Sequence, residues 1–518
     1  MQHGAHALDT RAGRAGMPRV AGLIAVTLAV AAIAVTVAIT GSTGPAGVTV
    51  TTRQPASPAT VLSGSPAAVS SGLTHLLLSS TASAVVANAT SAADVNTASA
   101  VARRAHAPLL LMSSNGNEAA QASAIRSAIK ALDPRALLAI GVAGQALTAG
   151  LPGVKLVTSA SALPSVAAAA PRRQVAVLLN ASHSAVGAAL ATAAATTAAV
   201  AGARIISLPG FDPRTDPAAI RELAATRPAR VIGVGAGFGP AGLLASRVAV
   251  AETGVQLPGG GQVMFPMRRI VALYGSPGIR ALGALGHQGL AATIARAKAV
   301  AAQYSALSNV PVIPAFEIIA TIALGSAGPS GTYSYETSVA ALRPWVLAAV
   351  NAGMYVTLDL QPGRANFLTQ AESYQSLLKL PDVGLALDPE WKLGPRQRPL
   401  RQIGSVSIGE VNSVVNWLAR LTARYRLPQK LLELHEFRLT MIQDIQKLDT
   451  QNSDLALVIN MDGQGAPASK QQTWAAVVGG APIGVFFGWK DFYDKDTRML
   501  GPRATLNHQP EPVLISYQ

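Results

Sequence analysis

The sequence predicts an α/β protein in which two Rossmann-like α/β units precede a C-terminal (β/α)8 barrel. Three observations carry that expectation. Eight short apolar runs, mostly separated by stretches with helical spacing, fill residues 269–518, which matches the size and count of such a barrel. Upstream, a strand–helix–strand order that begins at Pro108 returns at Ala203. Within the C-terminal runs, polar residues gather at one end and on one side.

At 518 residues, 50% of them hydrophobic, the chain can bury large cores, and disorder is excluded as its main state. It contains no cysteine. Disulfides, thiolate metal sites and a cysteine nucleophile are therefore excluded. The formal charge of +15 is spread along the chain, and aromatic residues make up only 4%, too few for a base-stacking platform. Nucleic acid is thus not an expected partner, whereas an anionic envelope surface suits a basic exported chain.

Arg11, Arg14 and Arg19 precede an uncharged run, Val20 to Thr40, long enough to cross a bilayer. Residues 1–40 are expected to be a signal anchor or signal peptide, which places the remainder outside the cytoplasm, membrane-anchored or secreted. Residues 41–72, rich in Ser, Thr, Pro, Gly and Ala with Arg53 as their one charge, read as a flexible linker. The duplicated α/β region then runs over 73–268, opening with the apolar run Leu73 to Ser79.

In its first half, Pro108-Leu-Leu-Leu-Met112 reads as a buried strand, Ala119 to Ala131 as a helix and Ala136 to Gly141 as a strand. In its second half the same roles fall to Ala203 to Leu208, Pro217 to Ala225 and Ala229 to Gly235. Ala124-Ile-Arg126 matches Ala219-Ile-Arg221, and Ala139-Ile-Gly141 matches Val231-Ile-Gly233. This pattern resembles the actinobacterial cell-wall-binding repeat type 2, over about 72–160 and again over 174–250. The resemblance implies an envelope-attachment module without catalysis. Glycines at 233, 235, 237, 239 and 242 suggest a dinucleotide loop, but they follow the last strand of a unit instead of its first. A tight strand-to-helix turn explains them.

The eight barrel strands are expected at 270–275, 310–317, 354–361, 383–390, 431–437, 455–462, 483–490 and 513–517. Helices are expected at 336–351, 366–379, 408–425, 438–449 and 470–478, with Ser407 and Glu410 forming a capping box. Side chains alternate along a strand, so Asp388 and Glu390 should share a face opposite Leu385 and Leu387. The same phase collects Glu317 on the second strand and Tyr355, Thr357, Asp359 and Gln361 on the third. It also gives Glu433 and His435 on the fifth, Asn460 and Asp462 on the sixth, and Lys490 on the seventh. Active sites of such barrels lie at the C-terminal strand ends, where these residues fall.

A carboxylate-rich site suits glycoside hydrolysis, which needs a protonated acid and a second carboxylate. Glu390, beside Asp388 and partly buried, is the candidate acid. The Asp-x-Glu ending of strand four resembles the chitinase-like and phage-lysozyme-like barrel glycosidases. That resemblance implies acid chemistry at Glu390, an assisting role for Asp388, and a strand-six aspartate at Asp462. Glu317, Asp359, Gln361, His435, Asn460 and Lys490 are then substrate-binding candidates. Trp391 would stack on a sugar, with Lys392, Arg396, Arg398 and Arg401 in the loop beyond it to meet an anionic group. The expected partner is a polysaccharide or cell-wall glycan, and no cofactor is expected. A divalent ion held by Glu317, Asp359, Asp388, His435 and Asp462 is a rival, although one histidine argues against zinc. A non-catalytic cell-wall-binding protein with an inactive barrel is the alternative.

Overall fold

The computed structural model describes residues 49–113, 117–164, 166–181 and 184–518. The expected signal anchor lies outside them, and no helix among the described residues is long and apolar enough to cross a membrane. Ahead of the barrel stand two four-stranded parallel sheets. The first has the order Leu109–Met112, Ser83–Asn88, Ala136–Ile140, Lys155–Val157; the second has Ala203–Leu208, Arg172–Asn180, Arg230–Val234, Ala59–Leu62. Their strands are nearly continuous apolar runs because helices cover both faces of a parallel sheet. In each sheet the second strand of the unit lies beside the first, and the first beside the third, so the two halves share a topology.

Residues 49–72 correct the linker reading. Ala59–Leu62 is the edge strand of the second sheet, and Pro66–Leu77 is a helix capped by Ser65, whose side chain accepts from Ala68 N. That helix buries Val69, Leu73 and Leu77, and its Ser70 hydroxyl accepts from Leu111 N at 3.0 Å. Small residues that look like a spacer are here the means of close packing. Ala185–Val200 works the same way: Ala189 and Ala193 pack on the first sheet, Ala194 and Ala198 on the second. At the glycine turn, the Phe211 ring lies where a Cβ on Gly237 would fall. The space above that turn is thus filled by an aromatic ring.

The C-terminal region is a closed barrel of eight parallel strands with the TIM-barrel order. They are β1 (Arg269–Gly275), β2 (Val312–Ala323), β3 (Tyr355–Leu360), β4 (Val383–Leu387), β5 (Lys430–His435), β6 (Leu455–Met461), β7 (Phe486–Asp491) and β8 (Leu514–Tyr517). Each pairs with its sequence neighbours, and β8 pairs with β1 to close the ring. Helices Leu290–Ser305, Val339–Asn351, Phe367–Ser373, Gln375–Leu378, Ile408–Arg424, Pro467–Gly480 and Pro502–Leu506 follow their strands. The helix expected at 438–449 does not form. Asp444 takes a left-handed conformation (φ 60°), Ile442 joins a two-residue pairing with Val406, and only a 3-10 turn, Ile445–Lys447, remains. Ile442, Ile445 and Leu448 are buried all the same, a three-residue spacing that helix and irregular loop satisfy alike.

Alternation divides the barrel as expected. Val356, Leu358, Leu360, Leu385, Leu387, Leu432, Leu434 and Ile459 pack outward on the helices. The lower interior is filled by Ile270, Ala272, Ala315, Tyr355, Leu431, Ala456, Val458 and Leu514 against Leu257, Met264 and Phe265 from the segment before β1. Buried Arg268 organises that segment by donating to the carbonyls of Pro258, Gly260, Val263 and Met264. The α/β region meets this lower end, where Arg214 donates to Ser453 O at 3.2 Å just before β6. The opposite end is left to the polar residues.

Gly384 is required by this packing. A Cβ there would meet Leu431 O at 2.7 Å and the Tyr355 hydroxyl at 2.9 Å, and that hydroxyl bonds to Leu431 N. Backbone in a central strand cannot yield, so Gly384→Ala is expected to destabilise the fold by about 1–3 kcal/mol. The check is its urea-unfolding midpoint, and an unchanged midpoint would refute the packing argument.

Candidate active site

The upper half of the barrel interior is lined strand by strand. β1 supplies Tyr274, β2 Glu317, β3 Asp359, β5 Glu433 and His435, β6 Asn460, β7 Lys490 and β8 Ser516. All are buried, and Asp388 and Asp462, each one residue past its strand, are nearly so. His435 is the hub. Its Nδ1 lies 3.0 Å from Asp462 Oδ2, while Nε2 lies 2.9 Å from Glu317 Oε1, 3.6 Å from Glu433 Oε1 and 3.9 Å from Asp359 Oδ1. The Glu317 contact is close but not aligned as a hydrogen bond. Tyr274 donates to Asp359 Oδ2 at 2.9 Å, Asn460 donates to Glu433 Oε1 at 2.6 Å, and the Lys490 ammonium sits 3.3 Å from the centre of the Tyr274 ring.

Burial governs the protonation of this cluster, since it penalises the charged form of each carboxylate. Burial, with the Glu317 charge adding to it, pushes Glu433 up to about 8. Burial, partly offset by His435, lifts Asp359 to about 6. Asp388 is held well above the carboxylate range by burial and then by Asp359. Burial and Lys490 oppose protonation of His435, but its bond to Asp462, the Asp462 charge and Glu317 prevail, and its pKa lies well above the usual imidazole value. Lys490 is raised despite burial, by Glu317, Asp462, Asp388 and Asp359.

Glu390 and Trp391 occupy the rim instead. β4 ends at Leu387, and Asp388 caps a 3-10 turn, Pro389–Trp391, by accepting from Glu390 N at 3.2 Å. The extended strand expected through residue 390 stops at Pro389, so strand alternation does not govern the pair. Asp388 stays in the interior while Glu390, half-buried, borders a cavity of 420 Å3 with Trp391, Leu400, Arg401 and Arg438 among its walls. Burial, then the negative charge of Asp462, pushes Glu390 up to about 7. Of the expected loop cations, Arg401 lines the cavity. Lys392 does not, because it is held by Glu410 at 2.7 Å and by Ala365 O. The same Glu410 oxygen accepts from Phe367 N, so the capping box with Ser407 is formed on one side only.

Gln361 supports the site without opening onto the cavity: its Oε1 accepts from Ala323 N at 3.0 Å and its Nε2 donates to Tyr274 at 3.1 Å. Reading only the last residues of β2 to β7 passes over Tyr274 and Ser516. The signal for Tyr274 is present, since it follows Ile270 and Ala272 in the inward phase of β1. Glu436 is also missed. It directly follows β5 and is buried, with no hydrogen bond to either oxygen, and burial followed by the Asp462 charge takes it to about 8. Donor atoms of Glu317, Glu433 and His435 lie within 4.8 Å of one another, close enough to share one metal ion. It differs from the expected one: Asp462 is on the far side of the imidazole, and Asp388 serves the turn.

Fold and site together define a TIM barrel with a carboxylate-rich upper interior and a cavity at its rim. Comparison with protein-family models, curated proteins and solved structures finds no match to the chain. The site is therefore what bears on function.

Proposed function

We propose that the chain is a glycoside hydrolase acting on a polysaccharide or peptidoglycan glycan at the cell envelope, with Glu390 as its general acid. The observation that carries this reading is the setting of Glu390, a half-buried carboxyl on a cavity wall beside Trp391 with its pKa pushed up to about 7. A carboxyl of that pKa is still about half protonated at neutral pH and releases its proton when a leaving oxygen gains charge.

In this mechanism the sugar stacks on Trp391, and the Glu390 proton moves to the glycosidic oxygen as the bond to the anomeric carbon breaks. Asp462, whose charge already acts on Glu390, stabilises the positive charge that develops on the sugar. Water then adds to the anomeric carbon and gives a proton to the Glu390 carboxylate, which restores the acid. Asp388 is a positioning residue, fixing the turn that carries Glu390. Arg401 and Arg438 suit an acidic substituent of the glycan. The α/β region, at the other end of the barrel, would serve envelope attachment, and residues 1–40 would supply the export signal.

The test is release of reducing ends from purified peptidoglycan and a panel of soluble glycans, followed across pH. Glu390 must be protonated to act, so the raised pKa keeps the acid competent up to about 7, and kcat/KM is expected to fall as pH rises through that value. Release with no alkaline limb would remove Glu390 from the role. No release from any substrate, with the protein sedimenting with cell walls, would favour a non-catalytic binding protein.

A further inference from the structure

We propose that Glu317, Glu433 and His435, with Asp359 beside them, form a buried site for one divalent transition-metal ion in the upper barrel. This does not rest on the hydrolase reading, because none of these residues lines the rim cavity. The geometry is that of a donor set. Four ligands held about 2.1 Å from one ion in a tetrahedral arrangement lie roughly 3.4 Å apart. The three carboxylate oxygens facing His435 Nε2 are 2.9, 3.6 and 3.9 Å from it.

A second observation points to a ligand independently of that spacing. Both oxygens of Glu317, Oε2 of Glu433 and Oδ1 of Asp359 have no hydrogen-bond partner, although all three side chains are fully buried. Enclosed carboxylate oxygens require a donor or a cation. The imidazole is also oriented as a ligand: Asp462 at 3.0 Å engages Nδ1 and leaves Nε2 facing the carboxylates. A ligating histidine commonly carries such a carboxylate on its other nitrogen. Finally, among the described residues five buried carboxylates (Glu317, Asp359, Asp388, Glu433, Asp462) share this interior with two basic side chains, Lys490 and His435. A dication balances the charge of those carboxylates that ionise to ligate it. One imidazole among carboxylates selects Mn2+ or Fe2+ over Mg2+ or Ca2+, with Zn2+ a poorer fit that still reports the site.

The experiment strips the full-length protein with chelator and titrates it with Mn2+ by electron paramagnetic resonance and with Zn2+ by calorimetry. One ion per chain is expected, with a Tm that rises with ion concentration and nitrogen coupling from one imidazole in the bound Mn2+ spectrum. Glu317→Gln and Glu433→Gln should each weaken binding more than about 100-fold, and Asp462→Asn by about 10–100-fold. Glu436→Gln, which removes a buried carboxylate next to His435 but outside the set, should leave affinity unchanged. The nitrogen coupling needs no variant, so the test survives if a substitution prevents folding. Absence of stoichiometric binding, bound Mn2+ without nitrogen coupling, or affinity unchanged in Glu317→Gln and Glu433→Gln would overturn the proposal. His435 would then stand as an imidazolium among carboxylates.

Discussion

Glu390→Gln is expected to lower kcat on a natural glycan by about 100- to 10,000-fold, the usual contribution of a positioned general acid. KM should change little, since the proton is delivered only as the bond breaks. Glutamine has the same shape, and Glu390 is half-exposed on a rim turn held by Asp388 and by the bond from Gly404 N to Glu390 O. Unfolding of the variant should therefore match wild type. An aryl glycoside with a strongly acidic phenol separates acid catalysis from any other role of the side chain. That leaving group needs no proton, so the variant should keep most of its rate on the activated substrate while losing the natural one. Equal losses on both would assign Glu390 to binding or to the turn, and no loss on either would remove it from catalysis.

The placement of this acid shows how far the chain's pattern could be read. The inward phase of Asp359, His435, Asn460 and Lys490 follows from period-two alternation against outward leucines, which holds wherever a strand is continuous. It fails at Pro389, where the ladder ends and a 3-10 turn decides direction. Asp388 and Glu390 were expected on one face, yet one caps the turn from inside and the other opens on the cavity. The loop after β5 misleads for a related reason, because Ile442, Ile445 and Leu448 satisfy helical and irregular burial equally. Residues 49–72 are a third case. Alanine and serine carry little hydrophobic signal, and Val69 and Leu73 are buried against Val175, Val177 and Ile232, which lie more than a hundred positions further along the chain. The convergence on His435 is of the same kind: Glu317, Asp359 and Glu433 come from three strands, and no local spacing relates them.

Lys490→Met should destabilise the barrel by about 3 kcal/mol, because it removes a buried positive charge and leaves its partners uncompensated. The ammonium faces Glu317, Asp462, Asp388 and Asp359 from β7 and rests on the Tyr274 ring. Methionine keeps most of the volume, so the loss is mainly electrostatic. A charge-balance origin makes a further demand on the double variant. Glu317→Gln removes one of the negative charges that Lys490 offsets, so Lys490→Met with Glu317→Gln should cost about 1–3 kcal/mol less than the sum of the single changes. Urea unfolding of the four proteins in chelator measures this without a bound ion. The same substitution acts on the rim. Lys490 lowers the Glu390 pKa, so its removal should raise that pKa above about 7 and carry the alkaline limb of hydrolysis to higher pH. Additive stabilities together with an unmoved limb would mean that Lys490 only fills space. Coupling with a shifted limb would mean that the charge balance of the buried cluster sets the protonation of the acid at the rim.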